Sequence, residues 1–496
     1  MKKLVKLLSV VLALVLVFST TSVAFAKTKS VTPVIVLHGL GGSDLYQKIG
    51  TEDEARIAQF GLDVQAMAKD NTMLSEVLKL FTDEQDPNYD VLFKHLGNYF
   101  KNTNINFKAD GNPKDGDGIL TYWTDSLANH TEYLTMRDFS IPVMARQIAD
   151  IIGAENVYAF NYDWRVDLCD TADKLNEMVQ AVKKSTGAQK VTIVALSLGG
   201  AVVSAYMDKY KSKKDVGRYV LVNPAYQGAD ATRAFMLDLQ FDKKKVIPYL
   251  KHMEQAYQAG EQENLFKAIT ALGDVRISNA LDNLNEDIIG NPKMRKKFFL
   301  EVVKPWIGNI PTFYELLPYD DFDKAVSTLV KMGYLDKSSG LYKKIQRYHK
   351  VQGRLEHNLK VVKRSGAEVA IIANYGTMGL PVTSKYKNHS DLLIDTKYAS
   401  VGATVAKYGK TLTGKNAKGK YVSGDKIINA STCALKNNTW FYKGIIHGLY
   451  KYNGGANIFI ANLATGQVKC NLKAVKKKYG YTQFMVADNP QNLTNL

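Results

Sequence analysis

The sequence predicts an α/β fold with a mostly parallel central sheet flanked by helices, and three observations carry that prediction. Short β-branched apolar runs recur along the chain, amphipathic helical stretches separate them, and two of the runs end in turns of glycine and other small residues. Continuous apolar runs of this length suit strands buried on both faces, as in a parallel sheet. The first is Val34-Ile35-Val36-Leu37, entering the turn His38-Gly39-Leu40-Gly41-Gly42. The second, Val157 to Tyr162, follows an amphipathic stretch from Ile141 to Ile152. The third, Val191 to Leu196, follows a helix whose Leu175, Met178, Val179 and Val182 share a face, with Asp170 as expected N-cap and Gly187 as stop. Tyr219-Val220-Leu221-Val222 and Val369-Ala370-Ile371-Ile372 continue the series.

Between the last two runs the chain changes character. From 231 to 362 its apolar spacing is helical, as in Leu265, Phe266, Ile269 and Leu272, which predicts a helical cap inserted into the sheet. The expected organisation is therefore a leader at 1–26, a first core segment at 27–230, the cap at 231–362 and a second core segment at 363–496. The stretch from about Asp44 to Ser140 exceeds a simple crossover and predicts extra surface elements near the site. The Gly- and Lys-rich run from Tyr408 to Lys420 predicts a loop.

Composition narrows the function classes. The 496 residues are 46% apolar and 23% charged, close to globular averages, which argues against a disordered, fibrous or polytopic membrane chain. Lys2, Lys3 and Lys6, the apolar run Leu7 to Phe18 and Ala24-Phe25-Ala26 read as a secretory leader. The C-terminal Asn489-Pro490-Gln491-Asn492 lacks the apolar tail of a wall-sorting signal, so the expectation is a secreted, freely released protein. The net charge of +17, or +14 with the leader's three lysines set aside, favours an anionic membrane or cell-wall surface. No RNA-binding motif or arginine-rich helix appears, so nucleic acid is not an expected partner. Cys169, Cys433 and Cys470 allow one disulfide at most, and with no C-x-x-C or H-x-x-x-H pair no metal site is expected.

The chemistry concentrates at Ala195-Leu196-Ser197-Leu198-Gly199. A serine between a strand and a helix, with small residues two before and two after it, fits a nucleophile elbow with alanine in the first glycine's place. The His-Gly turn after the first strand would then supply the Leu40 N–H to an oxyanion hole, with the Leu198 N–H as second donor. Asp44 stands where a dinucleotide loop would need its third glycine, which disfavours that rival. A base should follow the sheet strands, which points to His447, with His389 as its rival. The expected acid is Asp425 in Gly424-Asp425-Lys426, with Asp391 and Asp395 as alternatives.

Taken in order, Pro33 to Ser43, Tyr162-Asp163-Trp164-Arg165, the Ser197 elbow, Asn223-Pro224-Ala225-Tyr226-Gln227-Gly228, Gly424-Asp425 and His447 resemble the lecithin:cholesterol acyltransferase-like family of α/β-hydrolases. The resemblance spans nearly the whole chain after the leader, and Tyr-Asp-Trp-Arg is its most specific piece. It implies an α/β-hydrolase fold, and it places the acid on Asp425, although Lys426-Ile427-Ile428 replaces the family's Gly-Thr-Val. No cysteine lies between Lys27 and Arg165, so the family's disulfide-closed lid has no counterpart. Asp163, Trp164, Arg165 and Tyr226 are expected to frame the pocket.

The functional expectation is a secreted serine hydrolase of carboxylic esters, most simply of lipids, working without a cofactor through an acyl-serine. The alternatives are an O-acyltransferase using the same triad, an amidase, and a non-catalytic surface-binding module on the same fold.

Overall fold

The computed structural model describes residues 31–57, 69–81, 86–120, 122–137, 140–237, 239–256, 267, 269–382, 388–448, 450, 453–487 and 492–496. The expected leader and the expected helical residues Leu265 and Phe266 lie outside the described residues.

Eight strands form the central sheet: β1 (Val34–Leu37), β2 (Val157–Phe160), β3 (Val191–Leu196), β4 (Val216–Val222), β5 (Glu368–Tyr375), β6 (Thr439–Lys443), β7 (Phe484–Val486) and β8 (Thr494–Asn495). Their spatial order is β8-β7-β6-β5-β4-β3-β1-β2, and every pairing is parallel except β7 with β8. The expected mostly parallel sheet is therefore present. Its first six strands are buried along nearly their whole length, which is why they read as continuous apolar runs rather than alternating ones.

Both faces of the sheet are covered. Ile35, Leu37, Ile193, Ala195, Tyr219, Leu221 and Ile371 point to one side and pack with helices α2 (Leu168–Thr186), α3 (Leu198–Tyr210) and α4 (Gly340–Arg364). The alternate residues Val34, Val36, Val194, Val220, Ile372 and Trp440 face helices α1 (Ser140–Ile152), α5 (Gly454–Ala464) and α6 (Leu472–Tyr479). Alpha helix α3 is apolar or small on all sides because it is buried along most of its length.

Two local expectations change. The N-cap of α2 is Asp167, whose carboxylate accepts the Cys169 and Asp170 N–H groups at 2.7 and 3.2 Å, so the helix begins one turn earlier than the expected Asp170. The expected insertion 231–362 ends in α4, which lies on the sheet face beside α3 rather than away from the core. Ahead of α4, the segments Leu284–Ile289 and Phe299–Val303 bring Ile288 and Val302 against Leu92 and Phe93 of helix Tyr89–Asn102. The two long excursions, after β1 and after β4, thus share a small apolar core of their own.

The chain leaves β1 for the edge strand β2 and then returns to β3 on the other side of β1. Adjacent parallel strands whose connections depart in opposite directions leave a crevice at their C-terminal ends. Leu37 pairs with Ala195 at that point, one residue before His38 and two before Ser197.

Candidate active site

Ser197 sits in the crevice in a strained turn, with φ 55° and ψ −119°. The strain is held by the surroundings: Ser197 N–H donates to Val222 O at 3.0 Å, and Ser197 O accepts Gly200 and Ala225 N–H, each at 2.9 Å. The glycines after it are required by close approach. A Cβ on Gly199 would lie 2.8 Å from His38 O, and one on Gly200 would lie 2.3 Å from Pro224 Cβ. Gly39 is as tight from the other side, since its Cβ would meet Ser197 Cβ at 3.0 Å. Ala195, where the elbow pattern has glycine, is fully buried in β3 and accommodated.

His447 lies in the loop that leaves β6, with two further strands still to come. Its Nε2 is 2.8 Å from Ser197 Oγ and its Nδ1 is 2.6 Å from Asp391 Oδ2. The expected acid therefore requires correction: Asp391 meets His447, and Asp425 does not. Asp391 directly follows the two-residue strand His389–Ser390, in the excursion that leaves β5. Its other oxygen accepts the N–H groups of Leu393 and Ile394 at 3.1 and 2.8 Å, and its backbone carbonyl accepts His447 N–H at 2.8 Å. The turn is sharp enough to put Leu392 at φ 96°.

Asp425 is a structural residue of a tight turn. Its carboxylate accepts the Ser423 hydroxyl at 2.6 Å and Ile427 N–H at 3.2 Å, and it pairs with Lys443 at 3.0 Å and with the Tyr375 hydroxyl at 3.2 Å. Burial acts against the charge, but those hydrogen bonds and Lys443 hold its carboxyl below the ordinary value. Asp395, the other alternative, caps helix Thr396–Ala399 and accepts from Asn388 at 2.7 Å. His389, the rival base, is buried with neither ring nitrogen hydrogen-bonded among the described residues, and burial lowers its pKa.

Leu40 follows Gly39 in a turn closed by Gly42 N–H donating to Gly39 O at 3.2 Å. Leu198 is the first residue of α3, where a helix leaves its N–H groups without an intrahelical acceptor. His38 braces the turn. Its Nδ1 donates to Gly39 O at 2.7 Å, Nε2 accepts Tyr162 N–H at 3.4 Å, and the ring stacks on Tyr162 at 4.1 Å. Burial pushes the His38 pKa down to about 4, so the ring is neutral at pH 7.

The residues expected to frame the pocket stand one layer behind its wall. Arg165 and Asp163 form a buried bidentate pair, with Nε to Oδ1 at 2.9 Å and Nη2 to Oδ2 at 2.6 Å. Arg165 also donates to Ile105 O at 3.0 Å and lies over the Phe107 ring at 4.8 Å. Trp164 meets Phe313 edge-on at 6.3 Å, and Phe313 itself lines the cavity. Tyr226 donates to Ala399 O at 2.9 Å, while its neighbour Ala225 is the one that faces the cavity.

Ser197 and His447 open into a cavity of about 610 Å³. Its walls are mainly apolar, with Trp123, Ile141, Phe235, Phe313 and Leu393 among them, and come from the excursion after β1, from α1, from the segments before α4 and from the excursion after β5. Among the described residues no group of three or more His, Cys, Asp or Glu side chains could hold a metal ion, and all three cysteines are free thiols. Among those residues, too, no helix is long and apolar enough to cross a membrane.

The chain belongs to the alpha/beta hydrolase fold family, whose sequence model matches residues 32–298, more than half of the chain. That stretch runs from β1 through the elbow but stops short of Asp391 and His447. No curated protein matches the sequence. Among solved structures, a chain in the crystal structure of the Tle4-Tli4 complex is 12% identical over 41% of this chain, with a TM-score of 0.19. The match spans about half, 48%, of that chain's own length.

Proposed function

We propose that the protein is a secreted serine hydrolase of carboxylic esters with apolar acyl groups, lipid esters first among them. The observation that carries this reading is the relay from Asp391 through His447 to Ser197, opening into a large apolar cavity. Asp391 accepts the Nδ1–H of His447, which leaves Nε2 free to take the serine proton as Ser197 Oγ attacks the acyl carbon. The Leu40 and Leu198 N–H groups receive the charge that develops on the carbonyl oxygen. The leaving alcohol takes the proton back from His447, and water, activated by the same nitrogen, releases the acid from the acyl-serine. The resemblance to the lecithin:cholesterol acyltransferase-like family and the apolar walls support a lipid substrate. The basic n-region and apolar run of residues 1–26 support export, and the net positive charge supports working against an anionic membrane or wall.

The test is fluorophosphonate labelling of the folded protein with mapping of the modified peptide, beside p-nitrophenyl esters of graded chain length. Modification of Ser197, and turnover that is lost in Ser197→Ala and His447→Ala, is the expected result. A folded protein that is not labelled overturns the reading in favour of a binding module. Preference for an amide analogue would replace esters by amides, and product capture by an added long-chain alcohol in place of water would make it an acyltransferase.

A further inference from the structure

We infer that Asn374, near the end of β5, is the positioning residue that holds the three loops of the Ser197–His447–Asp391 relay in register; the inference rests on the catalytic reading of that relay. Asn374 is buried, 1% exposed, and bonds directly to the His447 loop, to the start of the helix after the Asp391 turn, and to Asn223, which follows the strand end that holds Ser197. Toward the His447 loop, its Nδ2 donates to Ile445 O at 3.1 Å, two residues before the histidine, and its Oδ1 accepts the Tyr450 hydroxyl at 2.8 Å, three residues after it. One side chain thus grips that loop on both sides of the base. Toward the acid, Asn374 O accepts the Thr396 hydroxyl at 2.8 Å, at the start of the helix that follows the Asp391 turn. Toward the nucleophile, Asn374 N–H donates to Asn223 Oδ1 at 2.7 Å. Asn223 directly follows Val222, whose carbonyl accepts Ser197 N–H.

The network closes on itself. Asn223 Nδ2 donates to the Tyr450 hydroxyl at 3.2 Å, so that hydroxyl bonds both asparagines, and Asn457 Nδ2 donates to Tyr450 O at 2.7 Å. Asn223 has φ 40°, a conformation that asparagine tolerates better than most residues. The main-chain bonds of Asn374 survive any substitution, but the two bonds to the His447 loop come from its side chain. Their loss leaves His447 held by Asp391 alone of these contacts, so the base is less firmly placed while the nucleophile and acid stay anchored. A displacement near 1 Å at a reacting group lowers rates by about 100-fold.

The test compares Asn374→Ala, Tyr450→Phe and Tyr442→Phe with the unmodified protein. Tyr450→Phe keeps the ring and removes one hydroxyl, which guards against a failure of Asn374→Ala to fold. Tyr442, on the neighbouring strand β6, has a buried hydroxyl without a hydrogen-bond partner among the described residues and serves as control. The readouts are the fluorophosphonate labelling rate per folded molecule, kcat and KM on a short-chain ester, and thermal midpoints. We expect the labelling rate and kcat to fall by about 10- to 100-fold in Asn374→Ala, by less in Tyr450→Phe, and not at all in Tyr442→Phe, with KM unchanged. Lower midpoints with labelling rates equal to the unmodified protein's would make Asn374 merely structural and overturn the inference. Absence of labelling in the unmodified folded protein would instead overturn the catalytic reading itself.

Discussion

Asp391 holds His447 twice, by its carboxylate at Nδ1 (2.6 Å) and by its backbone carbonyl at the histidine N–H (2.8 Å). The side-chain bond fixes the tautomer and the backbone bond fixes the loop, so the two can be separated by mutation. Asp391→Asn keeps the backbone bond and the shape of the turn but presents an amide to Nδ1. The expected outcome is a loss in kcat of about 1,000-fold or more with little change in KM. Asp425→Asn is expected to stay within about threefold in kcat and to lower thermal stability, because it disturbs turn bonds, the Tyr375 hydroxyl bond and the pairing with Lys443, none of which touches His447. Steady-state kinetics on one ester decide between the two aspartates, and the reverse ranking would return the acid role to Asp425.

The elbow's tolerance is set by Pro224. A Cβ at Gly200 would lie 2.3 Å from Pro224 Cβ and 2.8 Å from its Cα, and neither atom can swing aside as a flexible side chain does. Gly200→Ala therefore has to push the 223–228 segment away from Ser197, whose carbonyl receives Ala225 N–H. The expected loss is about 1–3 kcal/mol of stability, measured by urea unfolding, together with slower fluorophosphonate labelling of the molecules that remain folded. Unchanged stability would mean that the two segments are not in contact in solution.

Much of this was legible in the sequence, and the failures share a physical cause. Runs such as Val191 to Leu196 are buried on both faces and declare themselves by composition, and the elbow is a local pattern whose small residues answer to close contacts at Gly199 and Gly200. The acid is a long-range property. Asp425 and Asp391 both lie in turns after β5, and only the path of the chain decides which one reaches His447. The helix α4 shows the same limit: Leu341, Ile345, Tyr348, Leu355 and Leu359 repeat at helical spacing, and that spacing is identical whether the helix covers a sheet or a cap. Asn374 carried no signal at all, since its importance lies in what three distant segments bring to it.

Arg165 tests whether the Tyr-Asp-Trp-Arg stretch is structural. Its guanidinium is fully buried and spent on Asp163 and Ile105 O, with the Phe107 ring stacked below. Arg165→Met leaves the Asp163 carboxylate buried without its partner, and the expected loss is about 3–5 kcal/mol. Arg165→Lys is not expected to restore it, because a single ammonium cannot reproduce the fork. Fluorophosphonate labelling per folded molecule should remain within about threefold of the unmodified protein. A selective loss of labelling with stability intact would show that Arg165 acts on the reaction.

Glu315 makes the last prediction, on stability and pH. It is fully buried in the segment that carries the cavity residues Phe313 and Leu316. One carboxyl oxygen accepts Leu168 N–H at 3.1 Å, and the carboxyl shares a hydrogen bond with the Asp167 side chain when it carries its proton. Burial first, and the charge of Asp167 second, push its pKa well above the ordinary value, with the Leu168 bond and Arg347 opposing. A carboxyl whose pKa is raised on folding holds its proton more tightly in the folded state. Its contribution to stability is therefore complete below the unfolded value of about 4.3 and is lost as pH rises toward the folded one. Glu315→Gln keeps the shape and a donor but cannot ionise, so it escapes that loss. The difference in thermal midpoint, variant minus unmodified protein, should grow as pH rises above 5 and level off once pH passes the folded-state value, as other titrations cancel. A difference that stays flat or shrinks from pH 5 to pH 9 would mean that Glu315 is ionised and paired in the folded protein.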